Sequence, residues 1–140
     1  MDETLMDYAL GFPGKYITAA EIVGKTPTVT IERAVLEPVV NPQTGKEGTR
    51  LVLYIEGEER GWVMNKTNCK ILEGLFKSRD TEQWVGHQIT VAAEKVSLGT
   101  TVTDGIRIVG SPELTEPMTV SWQHPRKKKE SRVLKPTGTR

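Results

Sequence analysis

The sequence predicts a mainly β protein: a five-stranded, OB-fold-like barrel with one helix between strands 3 and 4. Short stretches of alternating apolar and polar residues recur between residues 28 and 108, the period-two pattern of half-buried strands. One stretch alone, after Trp62-Val63-Met64, spaces its apolar residues at helical period. The resulting order, three strands, a helix and two strands, is that of a small, partly open Greek-key barrel. An SH3-like barrel or a small sandwich shares the strand count.

Residues 1–15 read as an N-terminal arm, with Tyr8 near a turn at Phe12-Pro13-Gly14. Thr18-Ala19-Ala20-Glu21 has capping-box spacing, and Gly24 is expected to end a helix of about two turns. Val29, Ile31 and Val35 share one face of a first strand, with Arg33 interrupting that face as at a bulge or a strand end. Asn41-Pro42-Gln43-Thr44-Gly45 marks a loop. Leu51, Leu53 and Ile55 make the inner face of strand 2, and the charged segment 56–61 leads into strand 3 at Trp62-Val63-Met64.

The helix is expected near 67–77. Cys69, Leu72, Leu75 and Phe76 fall on one face, and Asn65, Thr67 or Asn68 can cap its start. Leu72, Leu75 and Phe76 are expected to plug the barrel end. Ile89, Val91 and Ala93 give strand 4. Val102, Ile106 and Ile108 give strand 5, with a bulge at Asp104-Gly105. Beyond Gly110, four prolines and sparse apolar residues predict an extended or disordered basic tail. The expected domains are therefore an arm (1–15), a barrel (16–110) and a tail (111–140).

Charge is unevenly distributed. Residues 126–140 hold seven Lys/Arg against one Glu, a net +6, while the other 125 residues hold 12 basic and 17 acidic groups, a net −5. A basic segment on an acidic body reads as an arm for an anionic partner or as a solubilising terminus. One cysteine excludes an internal disulfide and fits a reducing, cytoplasmic location. No run reaches the roughly 20 apolar residues of a membrane span, so no membrane partner is expected.

Catalytic machinery is not expected. His87 and His124 have no evident scaffold as an acid–base or nucleophile pair. Cys69 reads as a structural thiol on the apolar helix face. Glu56, Glu58 and Glu59 lack metal-loop spacing, and no phosphate-binding glycine motif is present. No metal and no cofactor are expected.

"NKTNCKIL", "WVGHQITV" and "DGIRIV", with "FPGKYITAAEIVGKTPTVTI" ahead of them, resemble segments of a group of small phage and prophage proteins. The resemblance covers roughly residues 12–110. It implies an OB-like, single-stranded-DNA-binding protein of a replication or recombination module in a bacterial host. RNA remains open as a ligand, and phage or host replication and recombination proteins as partners. Self-association is open too.

On that reading Tyr54, outward beside Arg50, is a base-stacking platform or an ordinary cross-strand pair, and Trp62 a second platform or core. Lys66 is a phosphate contact at a helix start or a solvated turn lysine. Arg107, opposite Ile106 and Ile108, and the cluster Arg126, Lys127, Lys128 and Lys129 complete the expected nucleic-acid contacts. The alternative is an OB-like module that recruits or inhibits a host or phage enzyme, which the acidic body favours.

Overall fold

The structure is a computed structural model and describes residues 16–40, 45–98 and 100–138. The expected arm at 1–15, loop residues 41–44, Gly99 and residues 139–140 lie outside the described residues. The fold is mainly β with one α-helix between the third and fourth strands. The strands are β1 (Thr28–Val40), β2 (Glu47–Ile55), β3 (Trp62–Val63), β4 (Gln88–Leu98), β5 (Thr101–Ser111), β6 (Met118–Trp122) and β7 (Glu130–Pro136). The helix α1 spans Lys66–Phe76, and 3-10 turns occupy Ala19–Ile22 and Thr81–Gln83.

These strands form one mixed sheet in the order β3-β2-β1-β4-β5-β7-β6, not a five-stranded barrel. β1 serves two partners. Its first three residues pair with β4, and the stretch from Ile31 onward pairs with β2. The register slips between Ile31 and Arg33, so the residue that interrupts the apolar face does sit at a bulge. The barrel stays open for a simple reason. β3 offers only two paired residues, and the end of β5 pairs with β7 instead. Gly110 permits that pairing, because a Cβ there would lie 2.1 Å from the Lys135 carbonyl oxygen.

The expected extended or disordered tail, separate from the core, is corrected by β6 and β7. Residues 118–136 form an antiparallel hairpin whose Val120, Trp122 and Leu134 are buried in the common core. Pro117 directly precedes β6, Pro125 lies in the connecting turn and Pro136 ends β7. The prolines thus punctuate strands rather than prevent them. Arg132 fixes the hairpin to β4 through two hydrogen bonds to Glu94, at 2.8 and 2.5 Å. A hydroxyl chain ties β1, β4 and the C-terminal end together: Thr28 to Thr90 at 2.7 Å and Thr90 to Thr137 at 2.6 Å.

α1 starts at Asn65, whose side chain accepts the Asn68 N–H at 2.8 Å. Its buried side chains are Asn68, Ile71, Leu72 and Leu75. Phe76 is only partly buried and packs on the His87 ring at 5.0 Å, so it is Ile71 that completes the buried face. The helix lies chiefly against β6, not in a barrel mouth.

Gly74 explains how it fits. A Cβ there would sit 2.8 Å from Cγ1 of buried Val120. Helix propensity alone predicts that Gly74→Ala stabilises by about 1 kcal/mol. The close approach to Val120 reverses the sign: overpacking of this kind costs about 1–3 kcal/mol, so urea unfolding of Gly74→Ala is expected to show a net loss of stability.

Two smaller expectations also change. The first helix is a single 3-10 turn. Glu21 does reach back to the Thr18 N–H at 2.9 Å, and Gly24 has φ +79°. The β4–β5 register runs unbroken through Asp104 and Gly105 and slips between Thr90 and Val91 instead.

Candidate nucleic-acid interface

One expected contact, Tyr54, lies on the outward face of β2, and other segments pack against it there. Tyr54 stands opposite Arg33, whose guanidinium stacks on the phenol ring 4.1 Å from its centroid. The Tyr54 hydroxyl donates to Glu37, and so does the Tyr16 hydroxyl at 2.9 Å. Tyr16 arrives through a bridge to Gly61, whose missing side chain leaves room for Val52 and the Tyr54 ring. Burial and then the Glu37 carboxylate push the Tyr16 hydroxyl up to about 12, and the same causes raise that of Tyr54.

Tyr54 is therefore a cross-strand packing residue rather than an open stacking platform. Trp62 is 6% exposed and belongs to the core. Tyr54→Ala is expected to lower stability, by about 3 kcal/mol or somewhat less because the ring is only half-buried, and to leave oligo-dT affinity unchanged in a titration.

The remaining cations gather elsewhere. Arg50 leaves the Tyr54 face and donates to the Met64 carbonyl oxygen at 2.9 Å, one residue ahead of the α1 cap. Lys66 is exposed at the first helical position. Thr67 bonds His124 at 3.2 Å, which holds the β6–β7 loop beside the start of α1. That loop carries Arg126, Lys127, Lys128 and Lys129, all exposed. Residues distant in sequence thus converge on the first turn of α1.

A shallow groove of about 390 Å³ continues this surface along α1 and β6. Lys70, Lys77, Arg79 and Glu73 line one side, and Ser121, Trp122 and Gln123 the other. Glu73 is its one carboxylate among the described residues, 3.6 Å from Lys70 and 3.7 Å from Arg79. No salt bridge within the described residues involves Lys66, Lys77, Arg126, Lys127, Lys128 or Lys129.

Several acidic groups serve the scaffold. Glu21 and Glu58 share Arg60, and their carboxyls are held below the ordinary range by it. Glu94 takes Arg132, and Asp104 takes Lys95. Part of the body's negative charge is thus neutralised in ion pairs away from this surface, whose own carboxylates include Glu73 in the groove and the exposed Glu130 next to the loop.

Arg107 is apart from this surface. It is half-buried on β5, between the strands that carry Glu94 and Arg132, and its Nη1 has no hydrogen-bond partner among the described residues. Burial and then the Arg132 charge lower its pKa. Lys70, Lys77 and Arg79 were missed in the sequence. The only signal was the stripe Lys66, Lys70, Lys77 at helical spacing on the face opposite Leu72 and Leu75.

Cys69 is half-buried, and burial pushes its thiol up. Among the described residues no three His, Cys, Asp or Glu side chains come together as a metal site, and no helix is long and apolar enough to cross a membrane. No protein-family model, curated protein or solved structure matches this chain.

Proposed function

We propose that the protein binds single-stranded nucleic acid with little sequence preference, through the basic surface formed by α1 and the β6–β7 loop. The observation that carries this reading is the convergence of Arg50, Lys66 and the 126–129 loop on one helix start, fastened by the Arg50–Met64 and Thr67–His124 hydrogen bonds. A strand's phosphates meet cations there, and the helix start adds N–H donors to the same field. With Tyr54 and Trp62 unavailable for stacking, phosphate contacts dominate, and such binding is sequence-independent and strongly salt-dependent. Single-stranded DNA as the ligand follows from the resemblance to phage proteins, as does a role in replication or recombination in a bacterial cytoplasm; RNA is the other single strand the same phosphate contacts accommodate.

Anisotropy titration of labelled oligo-dT, with a duplex competitor, tests this on the full chain. Replacing Lys127, Lys128 and Lys129 together by Ala is expected to reduce the slope of log affinity against log salt by up to about 0.7 for each phosphate left without its cation. Absence of binding in low salt, or an unchanged slope, rejects the interface.

A protein-interaction module is the second reading, favoured by the β1–β2 arm, where Leu36 is 70% and Val40 54% exposed. It predicts that the triple variant leaves partner capture intact.

A further inference from the structure

Resting on the nucleic-acid reading, we propose that Lys77 and Arg126 are dedicated phosphate contacts at the two ends of the α1–β6 groove. Among the described residues these two alone, glycines apart, have positive φ, at 55° and 62°. L-residues other than glycine are uncommon in that region, which strains the backbone of any side chain with a Cβ.

Both positions are ones where folding favours glycine. Lys77 caps α1 in the left-handed conformation, with its N–H on the Glu73 carbonyl oxygen, and glycine is the usual residue in such a cap. Arg126 is third in the turn 124–127, which Lys127 N–H closes onto the His124 carbonyl oxygen at 3.1 Å. Pro125 is second. Proline followed by a left-handed residue is the arrangement of a type II turn, whose third residue is normally glycine.

The chain instead places a cation at each, and both cations lie on the basic surface. Lys77 lines the helix end of the groove with Arg79. At the other end Gln123 lines the groove and donates from Nε2 to the Lys127 carbonyl oxygen at 2.9 Å, joining the groove to the turn that carries Arg126. The turns that hold the two backbones fix where the side chains leave the surface. Ser78, next to Lys77, is itself pinned, because its carbonyl accepts the Trp84 indole N–H at 3.0 Å. Strained backbone at a binding surface is a common way of pre-placing a side chain for its ligand. The ligand class is a phosphodiester, so the groove guides the strand's backbone rather than its bases.

Glycine substitution separates this role from a structural one, because the two roles predict opposite outcomes. Lys77→Gly and Arg126→Gly relieve the left-handed strain and are expected to keep or raise the melting temperature. Each is expected to weaken oligo-dT binding and to lower the salt slope by about 0.7. A lowered melting temperature in both variants would show that the side chains serve the fold, and would overturn the proposal. If both glycine variants bind like wild type while the Lys127/Lys128/Lys129 triple Ala variant binds more weakly, the proposal fails and the nucleic-acid reading stands. If the wild-type chain binds no oligonucleotide in low salt, both fall together.

Discussion

A chain that ends at Gly110 is expected to unfold, not to yield a stable barrel lacking a tail. The truncation removes β6 and β7, and with them Val120, Trp122 and Leu134 from the core. Burying such a side chain contributes about 1.5–3 kcal/mol, and the missing hairpin also uncovers the α1 face that packs on it. Against a typical stability of about 5–15 kcal/mol, a deletion of this size removes most or all of the margin. Circular dichroism is expected to show no cooperative melt for residues 1–110. Leu134→Ala in the full chain offers the graded version: it is fully buried and is expected to cost about 2–5 kcal/mol. A truncated chain melting cooperatively at the wild-type temperature would show that the hairpin is not part of the core. Binding by the basic loop therefore has to be tested by substitution in the full chain, since truncation removes fold and loop together.

Glu94→Ala is expected to lower stability by about 2 kcal/mol. Removing one partner of a fully buried ion pair costs about 3–5 kcal/mol. This pair is partly buried, with the Arg132 and Glu94 side chains 25% and 33% exposed, so its loss falls between that range and the value of about 1 kcal/mol or less for a surface pair. The loss arises from what stays behind: Arg132 loses its bidentate acceptor while Arg107, already without a partner for Nη1 among the described residues, lies in the same field.

The same pair sets a pH dependence. The Arg132 hydrogen bonds hold the Glu94 carboxyl below its ordinary range, in spite of burial. Its contribution is therefore fully present above the unfolded-state carboxylate value and is lost as pH falls through the depressed folded value. Urea midpoints of the wild type are expected to fall with acidification through that window. Those of Glu94→Ala are expected to fall less steeply, because the linked proton is gone. Parallel curves for the two proteins would exclude Glu94 as the linked group.

Much of the first half of the fold was legible in local sequence. Alternation around Ile31, Leu53, Ile89, Val91, Ile106 and Ile108 specifies strands whose inner faces are buried, because the period of a strand is two. The polar cluster 65–68 marks the start of α1, because a side-chain acceptor is needed where helical N–H groups lack partners, and the fold selects Asn65 from it. Arg33 marks a bulge or a strand end because a charge cannot continue a buried face, and the register slip selects the bulge. These features depend on neighbours within a few residues.

The hairpin and the basic surface were not legible in the same way. Residues 118–136 looked like a tail because their apolar residues are few and their prolines many. Yet Val120, Trp122 and Leu134 need no long apolar run: α1 and the sheet provide the rest of their core. Likewise Tyr54 alternates outward by sequence, but Tyr16, Arg33 and Glu37 come from other segments to cover it. Lys66 and residues 126–129 lie some 60 positions apart in sequence, and only the packing of β6 on α1, at Gly74 and Val120, brings them to one surface. Local sequence specified five of the seven described strands and the helix between them, since hydrogen-bonding and periodicity act locally. Tertiary structure alone decided which faces stay open, since exposure depends on what distant segments pack against them.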